Sequence, residues 1–177
     1  MSIEDSEGEG EIYPGFSSPK GFDVIPLADL ARLGGLAVLQ GMIAGDYPAP
    51  PIAKTLSYWI AEAEEGRVLF KGMPNWRYLN PLGSIHGGWT ATIMDSALAC
   101  AVMTMLKPGE GYTTAEFKLN LTRPVMPDMG EVFCEGKVLH RGRTLATAEA
   151  FLHDGRGRLL AHGTETCAIF PIENMMR

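Results

Sequence analysis

No two cysteines in this sequence stand at metal-ligand or redox spacing. Cys100, Cys134 and Cys167 are odd in number and widely separated, which favours free buried thiols in a reducing compartment over a disulfide. The four histidines show no ligand spacing either, so neither a metal nor a redox cofactor is expected. Bases are missing from the first thirteen residues, where Glu4, Asp5, Glu7, Glu9 and Glu11 stand alone. A basic, apolar leader is therefore not expected, and a cytoplasmic protein is. Those five acids account for most of the net charge of −6, leaving about −1 for the rest. A nearly neutral body with no helical basic face argues against nucleic-acid binding. Repeats and internal linkers are also absent, and 177 residues fit one folded domain.

What is present centres on residues 80–106. From Trp89 to Leu106 there is no Gly or Pro and one charged residue, Asp95. Ala, Leu, Met and Ile favour helix there, and a helix apolar nearly all round belongs inside a domain. A membrane span is not expected, because a mid-helix Asp is costly in a bilayer. In a protein core an unpaired carboxylate costs several kcal/mol, so Asp95 needs a reason to be there. Just upstream, Ser84 is the expected cap. Gly87 and Gly88 should leave backbone N–H groups open at the positive end of the helix. Such a terminus binds anions or oxyanions. Together with the carboxylate, it points to acyl-transfer chemistry.

Taken in order, residues 1–22 read as an acidic, disordered tail. Residues 23–51 read as a helical extension: Leu27, Leu30, Leu33, Ala37, Val38 and Met42 are at near-helical spacing, Gly34 and Gly35 weaken its middle, and the prolines at 48–51 end it. Residues 52–172 form the main unit. Two strands joined near Glu65-Gly66 precede the central helix. Runs at Thr113–Thr122, Val132–His140, Thr144–His153 and Leu159–Phe170 follow, with turn residues between them. Successive hairpins and one apolar helix predict an α+β domain, with an antiparallel sheet wrapped around the helix.

The N-x-x-G-x-x-HGG-x6-D pattern formed by Asn80, Gly83, His86, Gly87, Gly88 and Asp95, ahead of a long apolar helix, resembles the hotdog-fold acyl-CoA thioesterases of the phenylacetate-degradation type. Thr122-Arg123-Pro124 and Arg141-Gly142-Arg143-Thr144 fit as well. The resemblance spans about Leu56 to Phe170. It implies that Asp95 is the carboxylate that activates water or attacks the thioester, and that the Gly87 N–H binds the thioester oxygen. Asn80 would hold the same carbonyl or its surroundings, and His86 would sit beside the thioester. The family's water-holding Ser is best matched by Thr114. The implied substrate is an aromatic or medium-chain acyl-CoA, with coenzyme A part of the substrate and no separate cofactor.

Asp95 lies eight residues beyond Gly87, about 12 Å along a helix, whereas both groups must reach atoms of one thioester. One chain therefore cannot supply both. Two antiparallel helices related by a two-fold axis can, which predicts a homodimer or a dimer of dimers. Arg123, Arg141 and Arg143 are the candidates for the coenzyme A phosphates. Plainer readings stand beside these. Asp95 could be a hydrogen-bonded core residue, the glycines could serve close packing, Asn80 could be a turn residue, and the arginines could be solvated. A hydratase or dehydratase on the same fold, or a non-catalytic acyl-CoA-binding module, is the alternative function. The N-terminal extension is expected to cap the acyl site.

Overall fold

The computed structural model describes Tyr13 and residues 16–176. Six strands form one antiparallel sheet in the order β1-β2-β4-β5-β6-β3. They are β1 (Tyr58–Glu64), β2 (Arg67–Gly72), β3 (Glu110–Leu121), β4 (Val132–Arg141), β5 (Leu145–Asp154) and β6 (Leu159–Pro171). The chain crosses from β2 to the far edge of the sheet through α4 (Gly87–Met103). The sheet wraps this helix, as the alternating strands predicted.

The core is the layer between the two. Ile93, Met94, Ala97, Leu98, Ala101 and Val102 of α4 are fully buried against Val68, Val132, Ala146, Ala148, Ala150 and Ala161. Small side chains bring helix and sheet close: a Cβ at Gly136 would lie 2.2 Å from the Ala97 carbonyl oxygen. The helix is not apolar all round, however. Ala91, Thr92, Asp95 and Ser96 are only half-buried and form one stripe at i, i+4 spacing.

Upstream lie α1 (Leu27–Leu33), α2 (Gly35–Ala44) and α3 (Pro51–Leu56). The first two meet at Gly34 (φ 78°) with a bend of 117°, where the paired glycines had marked a weakness. Two sequence expectations are corrected here. The expected tail to residue 22 is not loose throughout: Phe16 is buried and stacks on Trp59 at 5.2 Å, while residues 1–12, 14 and 15 lie outside the described part. Pro51 does not merely end a helix but opens α3 at its first position, where its missing N–H is harmless, so the first strand begins at Tyr58. The extension is built into the fold. Val38 and Leu39 of α2 join the main core, and Gly35 packs on Met103 at the far end of α4. Among the described residues no single helix is long and apolar enough to cross a membrane.

Candidate active site

The loop before α4 sets its first turn. Asn80 Oδ1 accepts from the Leu82 and Ser84 N–H groups at 2.9 and 3.3 Å, and its amide donates to Ser84 Oγ at 2.8 Å. Ser84 is thus held inside the loop and does not cap the helix. The cap is His86, whose Nδ1 accepts the Gly88 N–H at 2.9 Å. Side-chain preference had favoured Ser, but an imidazole nitrogen two residues back accepts equally well. This corrects the expectation of two open N–H groups. Gly88 is satisfied, and among the described residues Gly87 alone of the pair carries no hydrogen bond on its N–H. With Nδ1 accepting, the neutral His86 ring carries its proton on Nε2, on an exposed side chain.

Gly87 opens into a groove of ≈ 250 Å³ lined by Asn80, Thr90, Leu121 and Arg123. There Leu121 Cδ1 lies 3.0 Å from where a Cβ on Gly87 would sit, so even Ala is tight at this position. The other end of the same strand runs past Asp95, which interacts with Thr114. Edge strand β3 therefore carries Leu121 beside Gly87 and Thr114 beside Asp95. Burial pushes the Asp95 carboxyl above its ordinary range, and the Thr114 hydroxyl opposes that shift. Trp89 is core: it is 4 % exposed, its indole N–H donates to the Leu56 carbonyl, and it stacks on Tyr78.

The arginines separate. Arg123 lines the Gly87 groove, with Nη1 donating to the Leu159 carbonyl at 2.6 Å. Arg141 lies at the opposite end of β3, ion-paired to Glu110, and Arg143 is in the adjoining hairpin. One protomer does not bring the three together.

One residue escaped the sequence reading. Glu165 on β6 is 1 % exposed. Its Oε1 accepts the Thr114 hydroxyl at 2.8 Å and the Cys167 thiol at 3.0 Å, while Oε2 has no partner among the described residues. Burial is the main cause that raises its pKa to about 7, with the Asp95 charge adding to it. A signal was present: Glu165 is in phase with Ala161, Gly163, Cys167 and Ile169, the inward positions of its strand. Of the cysteines, Cys134 and Cys167 are buried, Cys100 is half-buried, and all three are free.

With this geometry in view, comparison with known proteins places it. Residues 82–161 match the model of the thioesterase superfamily. Human acyl-coenzyme A thioesterase 13 is 28% identical over 109 residues, covering 60% of this chain and 76% of that one. The mouse protein of that name is 33% identical over 92 residues, covering 51% and 64%. A phenylacetic acid degradation-related protein from Ralstonia eutropha superposes with a TM-score of 0.67 at 26% identity, covering 73% of this chain and 98% of the other. The hotdog architecture, the matched segment and the helix-start pattern agree in making this chain similar to the thioesterase superfamily.

Proposed function

We propose that this chain hydrolyses an aromatic or medium-chain acyl-CoA to the free acid and coenzyme A, at a site shared by two protomers. The open Gly87 N–H in its groove, together with Asp95 further along the same helix, carries this reading. Gly87 of one protomer donates to the thioester oxygen as negative charge develops on it, aided by the helix terminus. Asp95 of the other takes a proton from water as that water bonds to the carbonyl carbon. The C–S bond then breaks, and the thiolate leaves with the proton from Asp95. His86 and Asn80 shape the oxyanion loop, and Arg123 meets the coenzyme phosphates. An antiparallel partner would also bring its own Arg141 end towards the first protomer's Arg123.

Edge strand β3 supports the pairing. A two-fold axis normal to the sheet preserves its faces, so some residue must stand opposite its own copy. Centring on Glu116 or Lys118 would oppose like charges. Centring on Phe117, which is 42 % exposed, sets Glu116 against Lys118 twice and stacks an aromatic pair. Allowing for the bulge at Ala115, Leu121, beside Gly87, then lands opposite Tyr112, two residues from the Thr114 that faces Asp95. The half-buried stripe on α4 is covered in the same assembly.

The test is thiol release from a panel of aromatic and aliphatic acyl-CoAs. Asp95→Asn should lose roughly a hundredfold or more in kcat while still folding and binding coenzyme A. A wild type that binds the esters and releases no thiol would make the chain a binding module. For the shared site, Lys118→Glu should shift the protein to monomer by sedimentation and remove turnover with it. Adding Glu116→Lys should restore both. A fully active monomer would overturn the arrangement.

A further inference from the structure

A carboxyl group buried as deeply as Glu165 ordinarily has a cation or several N–H donors. Here it has a hydroxyl, a thiol and one oxygen with no partner among the described residues. The groups facing it are Asp95 and Cys100 from α4, Tyr112, Thr114 and Glu116 from β3, and Cys167 from its own strand. Across β5 its neighbour is Ala148. None of the groups that act on it is a cation. Strand β3 is bulged between Thr114 and Glu116, and the inward-facing Thr114 lies between this carboxyl and Asp95.

A threonine hydroxyl has one hydrogen. Two carboxyls compete for it: the 2.8 Å bond gives it to Glu165, whereas the lowering effect on Asp95 has it point the other way, so Thr114 accepts on the side of Asp95 only while Glu165 holds the hydrogen. We infer that Glu165 is a positioning residue for hydrolysis: as a carboxylate it takes the Thr114 hydrogen, so that Thr114 offers the attacking water a lone pair. The inference rests on the hydrolytic reading above. The water then gives one hydrogen to Thr114 Oγ1 and the other to Asp95, which leaves its own lone pair for the carbonyl carbon. When Glu165 binds a proton from solvent, the polarity of the chain reverses. The acid donates to Thr114, and the Thr114 hydrogen turns to Asp95 and occupies the oxygen that must accept from water. Glu165 thereby links turnover to protonation near neutral pH without touching substrate.

The experiment is a pH profile of kcat and KM for thiol release by wild type, Glu165→Gln, Glu165→Met and Thr114→Val. Wild-type kcat should fall as pH drops through about 7, in the range set by burial of Glu165. Glu165→Gln retains a polar partner for Thr114 without titrating, so this limb should vanish. Glu165→Met should lower kcat roughly tenfold at alkaline pH with KM unchanged. Thr114→Val, which leaves Glu165 in place, should also remove the limb. Persistence of the limb in Glu165→Gln and Thr114→Val would overturn the inference. So would a Glu165→Met variant changed in melting temperature and not in kcat. A readout independent of turnover separates this from failure of the hydrolytic reading. Carbon-13 NMR of labelled carboxyls should show one acid titrating near neutrality, absent in Glu165→Gln, with Asp95 responding in step. Two carboxyls that titrate independently would overturn the coupling even in a protein that releases no thiol.

Discussion

Asp154 and Glu165 are both buried acids on adjoining strands, and their surroundings treat them in opposite ways. Asp154 closes the β5–β6 hairpin. Its Oδ1 accepts the Arg156 and Arg158 N–H groups at 2.9 Å, and its Oδ2 accepts Arg158 Nε at 2.6 Å. Desolvation raises its pKa, but those donors outweigh it and hold the carboxyl below the ordinary range. Glu165 lies as deep, with no N–H donor and no cation among the described residues, and its pKa rises to about 7. Burial alone therefore does not say what an acid is for. A turn needs its carboxylate permanently ionised and surrounds it with donors. A site that responds to pH leaves the two protonation states close in energy.

The comparison can be broken most severely through stability. Glu165 has a folded pKa above its unfolded value of 4.5. The folded state then holds a proton that the unfolded chain has released between pH 4.5 and 7, and stability falls as pH rises through that window. The loss is about 3 kcal/mol at 1.36 kcal/mol per pKa unit. Urea unfolding at pH 5 and pH 8 should show this drop in wild type and a much flatter response in Glu165→Gln. An equal drop in both would mean that Glu165 is ordinary. Asp154 has the reverse sign: its contribution is present above the unfolded pKa and fades as pH falls through the folded one. A smaller effect is expected from Asp154→Ala at pH 7, because the hairpin is exposed beyond the carboxyl. Its melting temperature should fall while kcat per folded molecule stays at the wild-type value. A loss of kcat would erase the distinction between the two acids.

How far each was legible follows from how each announces itself. Asp95 stood out because it interrupts a run without other charge, and the helix, the glycines and the hairpins were read from period and turn residues. The sheet order needed the structure, since local pattern does not say that β3 crosses to the far edge beside β6. Glu165 sits in a threonine-rich strand where an acid looks like one more outward residue, and its phase with Ala161, Gly163 and Cys167 is visible once the strand's inner face is known. His86 escaped as the cap because helix-start preferences rank hydroxyls and amides ahead of imidazole. The union of the extension with the main core was not legible either: Val38 and Leu39 belong to the same core as the central helix, which helical spacing alone does not show.

The closeness of α4 to the sheet has a further consequence. With the Ala97 carbonyl pressed on Gly136 and alanines lining β5, the space under the helix is filled by the protein itself. On the proposed reading the acyl group finds no depth there and lies along the outer flank. On that reading its length is measured by what stands at the rim: Phe117, Leu121 and the side chains of the proposed second protomer. Selectivity in such a body is a matter of fence posts, and it can change from one chain to another while the foundations stay as they are.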